Sequence, residues 1–269
     1  MRIAIALLLP VVALLGVFLL LPIGSIILVS FREVPGQLSG LDAYLRLVTD
    51  TYYLRVFVQT FVFSLGLTIL TIILAYPLAT FISRTAARER SFLLFMIITP
   101  LLVSMVVRSY GWQIVLGNQG MINNALRALG LDTLQLMGNW TGVVIASVHV
   151  LLPFAVISIA GVLSSLDRSV EESAAVLGAS PVKVFLKVTL PMAINGLVTA
   201  ATFVFLLAMG SFVTIMMLGG RGTMVVPLLI YQQVSVTYNQ AFASAMAAIL
   251  MVVTLGLLFA QFKLLRRRA

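Results

Sequence analysis

Few side chains in this sequence are suited to acid–base or metal chemistry. The chain of 269 residues has one histidine, His149, eight carboxylates and no cysteine. His149 lies inside a long apolar run, where a buried, hydrogen-bonded imidazole is expected more than proton or substrate work. One histidine cannot form a metal site alone, and all eight carboxylates fall in the polar segments between apolar runs. The sequence therefore predicts no catalytic centre, and no metal or cofactor held by this chain.

Arg108 is the one basic residue well inside an apolar run. A charge there is costly and usually faces the interior of a helix bundle or a wet cavity. Trp112 lies one helical turn away, so a cation–π pair is available. We place Arg108, Tyr110 and Trp112 on a candidate translocation pathway; the alternative is an arginine that snorkels to the outer interface. Asn195 and Thr199 share a face of a later run, where pathway lining and interhelical hydrogen bonds both remain open.

The longest polar interruption covers residues 166–191 and reads LDRSVEESAAVLGASPVKVFLKVTLP. Asp167 or Ser169 can cap a helix here, and glutamates in the first turn suit the positive end of the helix dipole. Gly178 is a natural helix end, and Pro181 suits the first position of a second helix. The stretch therefore predicts a short surface helix that docks on another protein and passes that protein's movement to the rest of the chain.

Composition places this stretch in a membrane protein. The chain is 61% apolar and 9% charged, with a mean hydropathy of +1.15, whereas soluble domains are roughly 45–50% apolar and about 25% charged. The period-two alternation of barrel strands is absent, and a helical span needs about 20 apolar residues. Six runs qualify as spans: 5–29, 57–82, 92–116, 141–163, 194–218 and 241–262.

The first apolar run and the segments between the runs indicate how the chain is organised in the membrane. Signal-peptide cores are about 7–15 residues long and end at small residues, so we interpret the longer first run as a retained span. Between spans, residues 31–55 are amphipathic enough to lie on the membrane or a partner, and residues 121–129 predict a short helix ended by Gly130. We find no internal repeat and no low-complexity linker, which predicts a single domain over residues 1–269.

Basic residues predict the orientation in the membrane. With the N-terminus in the cytoplasm, the inside segments hold eleven of the 17 lysines and arginines, including those of the tail KLLRRRA. This excess indicates that both termini are cytoplasmic, and it places residues 166–191 in the cytoplasm as well. The net charge of +9 is scattered between spans in short clusters, so it does not indicate a nucleic-acid partner.

The polar stretch resembles a motif of bacterial ABC importer permeases, E-A-A-x-x-x-G followed further on by leucine–proline. Here Glu172-Ser173-Ala174 precedes Gly178 and then Leu190-Pro191; Ser173 replaces an alanine and is small, so we expect docking to survive. The resemblance implies an all-α type I ABC importer permease with six transmembrane helices, whose loop helix over 170–178 sits in a cleft of an ATPase. The docking residues that it implies are Val170, Glu171, Glu172, Ser173, Ala174, Leu177, Gly178, Pro181, Leu190 and Pro191.

A second resemblance narrows the class. Thr99-Pro100, Arg108-Ser109-Tyr110-Gly111-Trp112 and Leu116-Gly117 are similar to the third-span region of spermidine/putrescine permeases, and to the first-type subunit of such a pair. The chain has no G-x-x-x-x-G-K-[ST] phosphate loop. The resemblance therefore implies two separate ATP-binding subunits that bind ATP and magnesium, a second permease subunit, an extracytoplasmic solute-binding protein and a bacterial inner-membrane bilayer around them.

We predict a non-catalytic permease subunit of an ATP-driven importer for a polyamine-like solute, which forms half of the translocation pathway. An amino-acid-like or carboxylated solute is the alternative within the class, since the spans offer a dication no carboxylate and Arg108 suits an anion. An ion-gradient-driven carrier is the alternative from another class, although such carriers usually show intramembrane carboxylates or matched broken helices. A membrane enzyme lacks paired catalytic side chains at membrane depth.

Overall fold

Helices account for nearly all of the regular structure in this computed structural model. The structure describes the backbone of residues 2–266, and the side chains of residues 10–259, except Arg168, together with Lys263. Arg267 and Arg268 of the basic tail, which contribute to the orientation prediction, lie outside the described residues. The α-helices in this part of the chain are α1 (Arg2–Ser30), α2 (Gly40–Thr49), α3 (Thr51–Arg84), α4 (Ala87–Ile98), α5 (Met105–Leu116), α6 (Met121–Ala128), α7 (Trp140–Ser165), α8 (Arg168–Val176), α9 (Pro181–Val184), α10 (Leu190–Met192), α11 (Ile194–Met209), α12 (Val213–Leu218), α13 (Val226–Ser235) and α14 (Gln240–Arg266).

Internal contacts divide the chain into two compact units. The first comprises the residues up to Val58 and those from Val225 onward, and the second comprises Gln59–Met224. In the first unit, α14 packs against α1, α2 and α13, and Tyr44 both stacks on Phe31 and shares a 2.6 Å hydrogen bond with Ser30. In the second unit, α7 packs along α11, and α12 packs on α5. The single-domain assignment remains a prediction.

Four helices among the described residues are long and apolar enough to cross a membrane: Pro10–Ser30, Thr51–Arg84, Trp140–Ser165 and Gln240–Phe259. Two bent helix pairs, Ala87–Leu102 with Met105–Ala128 and Pro181–Met192 with Ile194–Met209, bring the number to six if each pair is one span. The six predicted runs therefore correspond to helical segments. The all-α prediction is confirmed.

Two of the predicted spans, 92–116 and 194–218, are interrupted in the structure, the first of them near Pro100, where a kink is expected. The first is bent by 96° where a 3-10 turn, Thr99–Leu102, leads into extended backbone at Val103 (φ −82°, ψ 134°). Pro100 lacks the N–H that a continuing helix requires. The second ends at Gly210 and resumes at Val213, because Phe212 leaves helical geometry (φ −136°, ψ −31°). Hydropathy alone does not detect such breaks.

Small residues allow α7 and α11 to approach closely. Gly196, Ala200, Val204 and Ala208 recur every four residues on α11, and all four are buried. A Cβ added to Gly196 would lie 2.8 Å from the Cβ of Val162 on α7. In membranes, helices associate through this kind of close backbone packing more than through hydrophobic burial.

Gly196→Ala should weaken the α7–α11 contact, because its methyl group overlaps Val162 and cores that are overpacked lose about 1–3 kcal/mol. We expect a thermal unfolding midpoint several degrees lower, measured by fluorescence-detected gel filtration of the detergent-solubilised protein. Gly161→Ala on α7 is the matched control, since its added Cβ meets no atom within 4 Å. Equal midpoints for the two variants would contradict this packing.

Candidate functional site

The polar loop begins with a capped helix. Asp167 is the N-cap of α8, and its Oδ1 accepts a 2.9 Å hydrogen bond from the backbone N–H of Ser169. That bond, with a further one from the Ser169 side chain, holds the pKa of Asp167 below its ordinary value. Asp167 therefore stays ionised at the positive end of the helix at neutral pH. Of the two predicted caps, the structure selects Asp167.

Gly178 ends the helix in left-handed geometry, with φ at +84°. The N–H of Gly178 donates to the carbonyl of Ala175 at 3.0 Å, and the N–H of Ala179 donates to that of Ala174 at 3.1 Å. These two bonds form a Schellman motif, which satisfies carbonyls that the helix itself leaves open. A side chain at residue 178 is strained in this conformation, so the predicted helix end is confirmed with its physical reason.

Glu171 holds α8 on the rest of its unit. Its Oε2 accepts a 2.8 Å ion-paired hydrogen bond from Arg84 Nη2 at the end of α3, and its Oε1 accepts a 2.6 Å bond from the Thr189 hydroxyl. Thr189 is buried and belongs to a π-helical segment, Phe185–Thr189. The Glu171 side chain is 22% exposed and that of Arg84 50%. One carboxylate thus ties α8 to two other segments.

Aromatic packing supports the same junction. The ring of Phe185 meets that of Tyr76 on α3 edge to face, with centroids 5.4 Å apart. A cavity of about 310 Å³ lies beside this pair, and its walls include Ala175, Ala179 and Pro181. The junction of α3, α8 and α9 is therefore bordered by an open cavity, so specific polar contacts anchor α8 beside incomplete packing.

The other side of α8 carries an apolar patch without a covering. Val176 is 87% exposed and Leu177 is 88% exposed, and we call this pair the α8 patch. Val170, Val182 and Leu186 are also exposed in the same loop. Contiguous exposed apolar side chains, rimmed by polar residues, mark interaction surfaces. The α8 patch is therefore a candidate docking surface at the C-terminal end of α8.

The predicted docking residues divide between these two sides. Glu172 and Ser173 are exposed, and Ala174 is half-buried. Pro181 is exposed at the first position of α9. Glu171 differs from the others, because its carboxylate already has partners within the chain. Leu190 and Pro191 lie in α10, directly before Ala193, where the chain bends by 67° into α11.

Among the described contacts, no hydrogen bond or ring contact joins the predicted pathway residues on α5 to those on α11. Arg108 Nη2 donates to the carbonyl of Val103 at 2.7 Å, so its side chain bonds the non-helical backbone just before α5. Trp112 Nε1 donates to His149 Nδ1 at 3.4 Å, with the two rings edge to face. The cation–π pair that was available to Arg108 and Trp112 is not found among the described contacts. His149 is hydrogen-bonded, as a structural histidine should be.

Tyr110 on α5 is exposed, as are Asn195 and Thr199 on α11. The hydroxyl of Thr199 donates to the carbonyl of Asn195 at 2.8 Å, so this bond lies within α11 and does not join it to another helix. The assignment of these residues to a pathway remains a prediction.

Three features of the site carry no clear sequence signal. Arg84 and Glu171 are 87 residues apart in the sequence, so their ion pair cannot be predicted from the spacing of residues. Val176 lies in the last turn of the helix predicted over residues 170–178, where an apolar residue is equally consistent with core packing. A cavity of about 290 Å³ borders the Gly210–Phe212 break, and the sequence shows there only a glycine within an apolar run.

Known proteins resemble this chain closely enough to place it. The sequence profile of the family described as binding-protein-dependent transport system inner membrane component matches residues 90–269. The spermidine/putrescine transport system permease protein PotB of Escherichia coli K12 is 31% identical over 220 residues, which cover 81% of this chain and 79% of that protein. PotB of Haemophilus influenzae is 30% identical over 206 residues, covering 75% and 72% of the two chains.

A solved structure shares the fold. A chain in the crystal structure of a bacterial alginate ABC transporter, in complex with an alginate pentasaccharide-bound periplasmic protein, superposes with a TM-score of 0.82 at 21% identity. The superposition covers 99% of this chain and 94% of the other.

Arg84→Glu should release α8, because it replaces the ion pair with two like charges. An ion pair of this exposure contributes up to about 1 kcal/mol, so we expect amide hydrogen exchange in α8 to accelerate about fivefold. Arg88→Glu is the matched control, an exposed arginine close by on α4. The double exchange Arg84→Glu with Glu171→Arg should restore part of the protection. Unchanged exchange in Arg84→Glu would show that the contact does not hold α8.

Proposed function

The chain belongs to the family of binding-protein-dependent transport system inner membrane components, and we propose that it imports a polyamine-like solute as one of two permease subunits. Members of this family are multi-pass inner-membrane permeases of ABC importers, so the chain is a transport component and not an enzyme. The carrier driven by an ion gradient and the membrane enzyme are thereby excluded.

In the proposed complex, two ATP-binding subunits supply the energy, and ATP and magnesium are bound there. An extracytoplasmic protein delivers the solute, and a second permease subunit completes the pathway. The α8 patch supports the docking of an ATP-binding subunit, because it combines two large exposed apolar side chains with a rigidly capped helix. The alginate transporter of the same fold supports the delivery step, since it was crystallised with a solute-bound periplasmic protein.

Both termini are cytoplasmic in this proposal. The excess of lysine and arginine in the segments that share a side with the N-terminus supports this orientation. It places α8 where ATP is available. The alternative orientation would present the docking helix to the outside of the cell, where no ATP-binding subunit could reach it.

The coupling mechanism follows from the attachments of α8. A subunit that grips Val176 and Leu177 moves α8 as a short rigid rod. The Glu171 carboxylate transfers this displacement to Arg84 at the end of α3 and to Thr189, four residues before Ala193 and the bend into α11. The spans of this unit then shift between outward-open and inward-open arrangements, driven by ATP binding and hydrolysis in the partner.

The relatives support a polyamine as the solute, because PotB proteins of two bacteria are permeases of spermidine/putrescine systems. A carboxylate-bearing solute is the second candidate, and Arg108 favours it. Its Nε and Nη1 are buried and have no hydrogen-bond partner within the described part of the chain, so an anionic group could satisfy them. A direct measurement of uptake separates the two candidates.

Val176→Asp should prevent docking of the ATP-binding subunit, because it places a charge in the centre of an apolar contact. We expect at least a tenfold loss of that subunit from the purified complex, as burial of one valine is worth about 1.5–3 kcal/mol. Val176 is exposed, so folding of the chain itself should be unaffected. Leu131→Asp, at an exposed leucine in the segment between α6 and α7, is the control. Full co-purification of the Val176→Asp complex would remove the α8 patch from the interface.

The transporter, reconstituted in liposomes with its solute-binding protein, should accumulate radiolabelled putrescine or spermidine when ATP is supplied on the α8 side. Glutamate and other carboxylated solutes should not accumulate. Uptake of a carboxylated solute without polyamine uptake would instead support the second candidate. Liposomes without ATP give the background.

A further inference from the structure

We propose that the cavity at the Gly210–Phe212 break receives an ammonium group of the transported solute, in place of the carboxylate that the spans do not provide. This site rests on the proposed import function and names where this chain contacts the solute. Glu89 in the first turn of α4 is the one carboxylate in any of the span-forming helices. A cation in the membrane must therefore be stabilised by dipoles or by another subunit.

The cavity lies between four helices of the second unit, α5, α7, α11 and α12, and measures about 290 Å³. Met105 contributes from the start of α5, and Ser147, Val150 and Leu151 contribute from α7. The end of α11, the linker, and Val213 and Thr214 at the start of α12 form the remaining wall. Leu207 and Gly210 are exposed, so the cavity communicates with the outside of this chain. Non-helical backbone at membrane depth is tolerated where it is buried in protein or lines a cavity of this kind.

The C-terminal end of α11 provides negative potential at this wall. The last four carbonyls of a helix have no donor within the helix, and the end carries roughly half a negative charge. The N–H groups of Gly210 and Ser211 satisfy the carbonyls of Leu206 and Ala208, so the negative potential comes from the other two carbonyls of the last turn and from the helix dipole. Leu206, Gly210 and Ser211 all line the cavity. In transporters, half-helix C-termini and unwound carbonyls coordinate cations at midplane breaks.

Ser147 supplies a second, independent indication of a ligand. The residue is only 3% exposed and lines the cavity. Its Oγ is buried and has no hydrogen-bond partner among the residues that the structure describes. Buried hydroxyls without a partner are rare in folded proteins and require an explanation. An ammonium group in the cavity would donate the missing hydrogen bond.

The remaining walls select an aliphatic amine over other cations. Val150, Leu151 and Leu206 offer apolar surface to a methylene chain. No lysine, arginine or histidine is among the lining residues, so no side-chain charge in the wall favours an anion. The volume is near the lower limit of small-molecule sites, about 300 Å³. The cavity therefore fits one end of a short linear amine better than a bulky or anionic solute.

Ser147→Cys tests the site directly, because the chain contains no other cysteine. In the complete transporter in liposomes, the new thiol is treated with the cationic aminoethyl or the anionic sulfonatoethyl methanethiosulfonate, and this chain is analysed by mass spectrometry. We expect about tenfold faster modification by the cation, as the helix end stabilises positive charge, and severalfold slowing by putrescine. Ser211→Cys is a second reporter should Ser147→Cys fail to fold. Ser158→Cys, further along α7 with its own hydrogen bond to Phe154, is the control without preference or protection.

Uptake of putrescine by the wild-type transporter in the same liposomes tests the proposed function separately. Uptake without cation preference or protection at either reporter overturns the site alone. Cation preference at both reporters, in a transporter that takes up no polyamine, supports an ammonium site and overturns the proposed solute. Faster modification by the anionic reagent overturns the site whatever the solute.

Discussion

The proposed coupling depends on the two hydrogen bonds that the carboxylate of Glu171 accepts. These bonds come from Arg84 at 2.8 Å and from Thr189 at 2.6 Å, and so join α8 to the end of α3 and to the segment that leads into α11. A helix of nine residues is unstable alone in water, so α8 relies on these bonds and on its caps. A coupling element must be held on one side and free on the other, and Glu171 supplies the held side.

From this carboxylate, a continuous set of contacts runs through the second unit. Thr189 precedes the bend at Ala193, where α10 leads into α11. The small residues of α11 keep it in close contact with α7, and the far end of α11 forms a wall of the 290 Å³ cavity. The same helix therefore begins near the docking loop and ends at the proposed ammonium site. Displacement of α8 would reach the cavity through Thr189, the bend at Ala193 and α11.

Local chemistry made parts of this structure readable from the sequence. Gly178 and Pro181 are typical of a helix end and a helix start, so the end of α8 and the start of α9 agree with the prediction. Hydropathy located the four long apolar helices and runs that overlap the two bent pairs. The breaks at Val103 and Phe212 depend on backbone torsion angles, to which hydropathy is insensitive. The Arg84–Glu171 pair depends on tertiary packing between residues far apart in the chain. Glu171 points inward and its neighbour Glu172 points outward because of tertiary contacts with Arg84 and Thr189, which residue spacing does not reveal.

The central claim is that the exposed end of α8 is the surface gripped by an ATP-binding subunit. A photo-crosslinking amino acid, such as benzoylphenylalanine, placed at Leu177 in cells that express the whole transporter tests this most directly. The account predicts a light-dependent adduct that contains the ATP-binding subunit. An adduct with only the solute-binding protein, or no adduct in a complex that is fully assembled and active, would contradict it.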